Sequence, residues 1–409
     1  MSLQDRRTIE MSFEQGRGAA SARLHRLLHG LLPRLSCGQL IVEMPGGHRI
    51  TLSGRAHGPF ARVRIHSWRG LARIAMGLEI GFADAYAAGE VSSPDIADLL
   101  RLAAANASSV ERIDRVRPLR YVRRLRHALN RNTRRGSRRN ISAHYDLGND
   151  FYRHWLDRSM TYSSALFSSP EQTLEDAQIG KLDRIINLLD VRGGESVLEI
   201  GIGWGGLAER LLQTRDCDVR GVTLSASQLD FARRRLAGSI ARGRCDLRLQ
   251  DYRDINGSFD RIVSIEMLEA VGEVYWSVYF EKLRSSLKPG GRAVLQVISI
   301  DEARFADYRR NPDFIQQRIF PGGMLPTRSL IAEHAAGAGL RLIGEELFGD
   351  SYARTLAIWR QRFEQAGPQI EPLGFDGRFR RMWSYYLDYC RVGFETSAVN
   401  VGLYSFLRS

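Results

Sequence analysis

The sequence contains few cysteines and no long apolar run. Its four cysteines, Cys37, Cys217, Cys245 and Cys390, are scattered, so neither a metal site nor a disulfide framework is predicted, and a reducing cytoplasm is expected. No stretch approaches the roughly 18 uninterrupted apolar residues that a membrane span requires. Residues 1–15 are polar and charged. We therefore predict neither a signal peptide nor a transmembrane helix.

Lysine is nearly absent as well. Only three of the 59 basic residues are lysines, which leaves 56 arginines, and the formal net charge is +13. Arginine binds phosphate through paired hydrogen bonds, so this composition suits an anionic partner. The base composition of a genome can produce the same excess, and the two explanations stay open. With 409 residues the chain has room for two or three domains and a full core.

A strongly basic segment lies between Arg115 and Tyr145, which contains no acidic residue. Ten arginines lie between Arg117 and Arg139, and apolar residues recur among the first of them at helical spacing. This pattern suits an anionic membrane surface, near which each exposed base contributes about 1 kcal/mol. A solvated linker is the alternative. Because the chain has no zinc knuckle or aromatic RNA-reading strand, no nucleic-acid partner is expected.

The N-terminal part mixes two patterns. Leucines at helical spacing predict a helix over residues 19–35. Alternating apolar and polar residues at Gln39–Glu43 and Ala61–His66 predict hairpin strands. Further helices are expected over Trp68–Leu78 and over residues 95–105. Together these elements predict a small α+β domain without a catalytic constellation.

A glycine-rich loop follows a short apolar strand near the middle of the chain. The strand ends at Ile200, and Gly201 and Gly203 precede a helix that is expected to begin at about Leu207. Glycines allow the backbone to turn tightly and to approach a ligand closely. The helix N-terminus presents free N–H groups to an anion. The pyrophosphate of a dinucleotide and the methionine carboxylate of S-adenosylmethionine both fit such a loop.

The positions of the acidic residues favour S-adenosylmethionine. An NAD site usually carries an acid at the end of the next strand, about 20 residues on. Here that strand, Asp218–Leu224, has Thr223 near its end. Glu199 instead stands directly before the loop, where it can accept a hydrogen bond from the cofactor's ammonium group. The pattern therefore favours a methyltransferase over a dinucleotide-dependent enzyme.

Several further motifs follow one another in a fixed order. They are Gly81–Tyr86, His144–Tyr152, Met160–Ser163, Gly221–Gln228, Leu249–Asp254, Leu287–Gly291, Ile319–Gly323, Phe348–Tyr352 and Tyr385–Cys390. In number and order they resemble the cyclopropane-fatty-acyl-phospholipid synthase family, which includes the mycolic acid cyclopropane synthases. The resemblance covers nearly the whole chain. It implies an α/β fold of the class I S-adenosylmethionine methyltransferase type, Rossmann-like, and it suggests a homodimer.

We accordingly predict three regions. A small α+β lipid-associating domain spans residues 1–110, a basic amphipathic linker spans 111–140, and the methyltransferase domain spans 141–409. The methyltransferase sheet is expected to have seven mostly parallel strands, with an antiparallel last strand near Val399 to Leu407.

The strand ends and the resemblance together predict the cofactor-binding residues. These are Tyr162, Ser163, Glu199, Gly201, Gly203, Thr223, Leu224, Gln228, Asp251, Tyr252, Ile265 and Glu266. Asp251 ends the third strand and can accept a hydrogen bond from the adenine amino group. Tyr252 can flank the adenine ring, with core packing as the alternative. Ile265 and Glu266 end the fourth strand and face the crevice where ligands bind in such sheets.

The resemblance also implies a catalytic set. Family members are thought to use a bound bicarbonate as base, held by a cysteine, a glutamate, a histidine and a tyrosine. Glu269 and Tyr352 match the glutamate and the tyrosine, whereas Ser164 and Gln296 stand at the cysteine and histidine positions. Because serine and glutamine lack a titratable imidazole, the identity of the base stays open. Cys390 matches a further cysteine treated as catalytic, with a buried apolar role as the alternative.

The resemblance implies transfer of a methylene group from S-adenosylmethionine to the cis double bond of an unsaturated phospholipid acyl chain, through a carbocation. We expect the protein to be cytoplasmic and peripheral at the inner face of the membrane. A relative that makes methyl- or methylene-branched chains is one alternative, and a small-molecule methyltransferase is another. A catalytically silent lipid-binding protein is a third, against which the complete set of cofactor motifs argues.

Overall fold

A computed structural model describes residues 13–14, 35–107 and 147–409. The predicted basic linker lies outside these residues, as does the predicted helix over residues 19–35 apart from Leu35. The described chain divides into two units, one formed by the N-terminal part with residues 374–392 and one by the remainder of the C-terminal part. The predicted domain boundaries stay a prediction. None of the described helices is long and apolar enough to cross a membrane.

The first unit contains a five-stranded sheet in the order β1-β3-β2-β4-β5. Its strands are β1 Phe13–Glu14, β2 Cys37–Glu43, β3 Arg49–Ser53, β4 Ala56–Ile65 and β5 Val91–Ser92, and its helices are α1 Trp68–Ala87 and α2 Ile96–Ala105. Asp95 caps α2 by accepting from the N–H groups of Ala97 and Asp98, at the position where the sequence predicts that this helix begins. Helix α1 continues past the predicted end at Leu78, which adopts a non-helical conformation within it.

The two alternating segments form strands as predicted, in β2 and β4, and the first belongs to a hairpin whereas the second does not. β2 pairs antiparallel with the intervening β3, whereas β2 and β4 run parallel. Gly54 makes this crossover feasible, because a Cβ at that position would lie 2.5 Å from the backbone of Cys37. The chain therefore passes close over the start of β2 and pairs with its opposite edge. Alternation alone does not reveal which strands are neighbours.

The second unit contains a seven-stranded sheet in the order β11-β12-β10-β9-β6-β7-β8. Its strands are β6 Glu195–Ile200, β7 Cys217–Thr223, β8 Cys245–Leu249, β9 Phe259–Ile265, β10 Leu287–Ile300, β11 Leu340–Leu347 and β12 Val399–Arg408. Strands β6 to β10 are parallel, and β12 is antiparallel to both β10 and β11. The predicted fold class and the antiparallel last strand are confirmed.

Helices cover the strand connections of this sheet. They are α3 Asn149–Arg153, α4 Leu174–Leu189, α5 Gly206–Thr214, α6 Ala226–Arg235, α7 Ala237–Ala241, α8 Leu268–Val271, α9 Trp276–Ser286, α10 Glu302–Arg310, α11 Arg328–Gly337, α12 Gly349–Gln365 and α13 Gly367–Ile370. A longer helix, α14 Gly377–Glu395, precedes β12. The carboxyl ends of the parallel strands meet at one edge, which positions the residues that follow them.

The close packing of the central sheet yields a stability prediction. A Cβ at Gly221 in β7 would lie 2.2 Å from Ile202 Cδ1 and 2.9 Å from Leu247 Cδ2. We predict that Gly221→Ala lowers the free energy of unfolding by about 1–3 kcal/mol, because the core must shift to accept the added carbon. Gly337→Ala, at an open helical position, is the matched control and is expected to be neutral or stabilising. Equal urea midpoints for wild type and Gly221→Ala would contradict the prediction.

Candidate functional site

The loop between β6 and α5 carries the two glycines that the sequence singles out. Gly201 has a φ of 85°, and a Cβ there would lie 2.5 Å from the side chain of Met267. Gly203 has a φ of 54° and no atom within 4 Å of the position of a Cβ. The absent side chain at Gly201 thus makes room for Met267, and the one at Gly203 leaves open space beside the loop.

Glu199 is buried directly before this loop. Its side chain accepts from the backbone N–H of Ala208 in α5, and its Oε2 has no hydrogen-bond partner among the described residues. Burial raises the pKa of this carboxyl to about 8, although the nearby Lys181 ammonium acts in the opposite direction. An unpartnered buried carboxylate oxygen is costly unless another group satisfies it, so this atom is a candidate ligand-binding position.

Lys181 is a functional candidate that the sequence reasoning did not find. It is fully buried on α4, and its Nζ donates to Ser163 Oγ at 2.8 Å. Burial lowers its pKa to about 8, while Glu266, Asp157 and Glu199 favour its charged form. The amino-acid composition could have pointed to this residue, because Lys181 is one of only three lysines in a chain whose other basic residues are arginines. A compact ammonium group fits a small buried polar site better than a guanidinium fork.

A tight turn presents Tyr162 and Ser163. Asp157 accepts from the backbone N–H groups of Ser159 and Thr161 at 2.8 and 3.1 Å. These bonds fix the chain just before Tyr162, whose ring lies 5.4 Å from that of Trp359. The turn therefore delivers an aromatic ring and the hydroxyl that accepts from Lys181 to the same region.

The end of β7 brings three predicted residues together. Thr223 Oγ1 donates to Gln228 Oε1 at 3.2 Å and accepts from the backbone N–H of Ser225 at 3.1 Å. Ser225 in turn caps α6 by accepting from the N–H of Gln228. Leu224 lies half-buried between them. The side chains of Thr223 and Gln228 are thus held in place by their own hydrogen bonds.

The acidic residue that follows β8 already has a partner within the chain. The Asp251 carboxylate forms an ion pair of 2.6 Å with Arg253, and it accepts from the N–H of that residue. Tyr252 packs in the core, 5.2 Å from the ring of Tyr279, and burial raises the pKa of its hydroxyl to about 12. Tyr252 therefore shows the core packing that the sequence left as an alternative.

The most connected side chain follows β9. Glu266 Oε1 accepts from the backbone N–H of Ser164 at 2.9 Å and from Gln296 Nε2 at 2.7 Å, and its Oε2 accepts from the Tyr352 hydroxyl at 2.8 Å. Ile265, the last residue of β9, is half-buried opposite Gln296 in β10. Three of the five residues predicted as catalytic, Ser164, Gln296 and Tyr352, therefore converge on a residue predicted to contact the cofactor.

Glu269 lies three residues farther along the chain, in α8. Its Oε1 accepts from the backbone N–H of Ile298, and its Oε2 has no hydrogen-bond partner among the described residues. Burial, and then the charge of Glu266, raise the pKa of Glu269 to about 8. Two interacting buried carboxyl groups do not both ionise easily, so a state in which one of them keeps its proton is favoured.

Cys390 lies on α14, in the stretch that belongs to the first unit, and it is partly buried. The other predicted catalytic residues, Ser164, Glu269, Gln296 and Tyr352, all belong to the second unit. A catalytic role for Cys390 stays a prediction.

Comparisons with known proteins show the family to which the chain belongs. The family model described as mycolic acid cyclopropane synthetase matches residues 132–403. Tuberculostearic acid methyltransferase of Mycobacterium tuberculosis is 38% identical over 341 residues, which cover 80% of this chain and 79% of that protein. Cyclopropane-fatty-acyl-phospholipid synthase of Escherichia coli is 38% identical over 267 residues, which cover 65% of this chain and 66% of that protein.

Among solved structures, the chain is similar to mycolic acid cyclopropane synthase in complex with SAH and CTAB. That similarity has a TM-score of 0.62 at 29% sequence identity, and it covers 66% of this chain and 98% of the other. The site described above lies within the residues that the family model matches. The chain belongs to the mycolic acid cyclopropane synthetase family and is an S-adenosylmethionine-dependent methyltransferase.

Proposed function

We propose that this enzyme transfers the methyl group of S-adenosylmethionine to a carbon of a cis double bond in an unsaturated phospholipid acyl chain, and that the product is a cyclopropane. One observation carries the proposal: buried carboxyl groups and aromatic rings gather behind the strand ends where the cofactor site is predicted. An alkene has no proton to remove before it attacks the methyl group. A base is needed only after the carbon–carbon bond has formed.

The residues at the strand ends suit S-adenosylmethionine. Glu199 offers an unpartnered carboxylate oxygen to the cofactor's ammonium group, and Gly203 leaves space beside the loop. Thr223 and Gln228 are fixed by their mutual hydrogen bond at the next strand end, where we propose that they line the adenosine. Asp251 would accept from the adenine amino group while it remains paired with Arg253. The cofactor supplies an electrophilic methyl group on a sulfonium centre.

Aromatic rings support a cationic intermediate. The Trp359 ring lies 5.4 Å from that of Tyr162 and 6.2 Å from that of Tyr352. An aromatic face stabilises a nearby cation by about 0.5–2 kcal/mol. The same apolar surroundings exclude water, which would otherwise trap the carbocation as an alcohol. An acyl chain adds about 0.8 kcal/mol for each methylene that it buries.

A methylene-branched product is the second candidate. It is favoured by the similarity to tuberculostearic acid methyltransferase, which covers 80% of this chain. Ser164 and Gln296 also depart from the residues that the resemblance implies for ring closure. A saturated methyl branch would need a hydride donor in addition. Methyl transfer, a 1,2-hydride shift that moves the cation to the methyl-bearing carbon, and loss of a methyl proton give the methylene branch and need no hydride donor.

We also propose that the enzyme acts at the surface of an anionic membrane, on its cytoplasmic side. The proposal is supported by the excess of arginine and by apolar side chains that the first unit exposes. Trp68 and Met76 in α1 are 53% and 59% exposed, and Phe60 in β4 is 43% exposed. Exposed aromatic and apolar side chains combined with basic residues are typical of peripheral membrane proteins.

Cofactor binding by Glu199 gives a pH-dependent prediction. Because burial raises the pKa of this carboxyl to about 8, the free enzyme holds it mostly protonated at pH 6 and increasingly ionised towards pH 8. An ammonium group binds the ionised form, so the affinity for S-adenosylmethionine is expected to rise at least about tenfold from pH 6 to pH 8.

Isothermal titration calorimetry tests this prediction. Glu199→Gln is expected to bind S-adenosylmethionine about 10- to 100-fold more weakly at pH 8, with a flatter pH profile, because it loses a charged hydrogen bond. Glu333→Gln, at an exposed position on α11, is the matched control. If the Glu199 variant bound as tightly as wild type, the assigned role would be wrong. A wild type that failed to bind at millimolar cofactor would contradict the cofactor site.

The product is identified with labelled cofactor. The enzyme is incubated with methyl-labelled S-adenosylmethionine and vesicles of monounsaturated anionic phospholipid, and the fatty acids are analysed by mass spectrometry before and after mild hydrogenation. We expect a product heavier by one CH2 that resists hydrogenation, as a cyclopropane does. A heavier product that takes up hydrogen would instead establish the branched alkene. Label absent from lipid, with cofactor bound, would refute the proposed acceptor.

A further inference from the structure

The structure disagrees with the bicarbonate site that the resemblance implies. That site would draw on the positions of Ser164, Glu269, Gln296 and Tyr352. The backbone N–H of Ser164, the Gln296 amide and the Tyr352 hydroxyl all donate to the carboxylate of Glu266. A bicarbonate ion would need the same donors, so these residues do not fit it while Glu266 keeps this arrangement.

The backbone of Glu266 points to a reason for this arrangement. Its φ is 50°, a left-handed conformation that costs a residue with a side chain about 1–3 kcal/mol. Its own N–H donates to the carbonyl of Gln296 at 2.8 Å, which anchors the strained residue to β10. A glycine would take this conformation without strain. A glutamate at this position instead forms three hydrogen bonds through its carboxylate, which offset the backbone strain.

The groups around Glu266 favour its ionised form more than the groups around Glu269 do. Burial raises the pKa of Glu266, while its three donors and the Lys181 ammonium group favour the ionised form. The nearby Glu269 carboxylate is less well stabilised. It accepts from one backbone N–H, and its Oε2 has no hydrogen-bond partner among the described residues. Three donors against one therefore favour the negative charge on Glu266 and the proton on Glu269.

We propose that the Glu266 carboxylate is the base of the reaction and takes the place of the bicarbonate ion. The inference rests on the proposed function, methyl transfer to an alkene. The π electron pair forms a bond to the methyl carbon, the S–CH3 bond breaks, and the sulfide retains its electron pair. The adjacent chain carbon is then a cation. Glu266 takes a proton from the added methyl group, and the released C–H pair closes the ring. If a 1,2-hydride shift first moves the cation to the methyl-bearing carbon, the same proton loss forms a double bond.

Glutamine variants test which carboxylate acts. Glu266→Gln keeps the size of the side chain but accepts no proton, so product formation is expected to fall at least about 100-fold, as for loss of a general base. Glu269→Gln resembles the protonated form of Glu269 and is expected to lose far less. Binding of S-adenosylmethionine should change less than about twofold in Glu266→Gln. Glu364→Gln, exposed on α12, is the control.

A glycine variant adds a readout that does not depend on lipid turnover. Glu266→Gly frees the three donors and relieves the backbone strain. We expect this variant to bind 13C-labelled bicarbonate, observed as line broadening by NMR, and wild type and Glu266→Gln not to bind it. Bicarbonate should also restore activity to Glu266→Gly alone, and its removal from the buffer should leave wild type fully active.

Two results would overturn the proposal. One is binding of bicarbonate by wild type together with loss of wild-type activity when the ion is removed. The other is a Glu266→Gln enzyme that retains activity while Glu269→Gln loses it. Failure of the proposed function is a separate outcome, because wild type would then form no lipid product whatever the bicarbonate NMR measurement gives.

Discussion

The burial of several ionisable groups at one edge of the central sheet is the constraint on which the site depends. Glu199, Glu266, Glu269 and Lys181 interact electrostatically away from solvent. Burying a carboxylate is unfavourable unless it is paired or hydrogen-bonded. The buried carboxyl groups differ in how many hydrogen bonds they accept. Glu266 has three donors, while Glu199 and Glu269 each keep an unpartnered oxygen among the described residues.

This uneven distribution gives the carboxyl groups different roles. In our proposals Glu199 completes its interactions with the ammonium group of the cofactor, Glu266 accepts the proton that the acyl chain loses, and Glu269 remains protonated. Lys181 supports the arrangement, because its ammonium group donates to Ser163 and favours negative charge on both Glu199 and Glu266. The low-dielectric surroundings raise the free-energy cost of ionising these groups, and they also keep water from a carbocation.

The sequence predicts the fold well and the proposed base poorly. Apolar runs bounded by turns are local signals that predict where the strands lie, whereas the parallel directions and the antiparallel β12 were implied by the family resemblance. The donors of Glu266 are separated from it by 102, 30 and 86 residues, so no local pattern brings them together. A strand-end acid looks like a cofactor ligand in sequence, and only the conformation of Glu266 reveals the direction of its carboxylate. Lys181 was missed because a lone lysine usually lies in solvent.

The protonation states of Glu266 and Glu269 test the central claim most directly. Infrared difference spectra at pH 7 can be recorded between wild type, with 13C-labelled glutamate carboxyl groups, and each glutamine variant. We predict that Glu269→Gln removes a protonated carboxyl band and that Glu266→Gln removes a carboxylate band. The opposite assignment, with the proton on Glu266 and the charge on Glu269, would contradict Glu266 as the base.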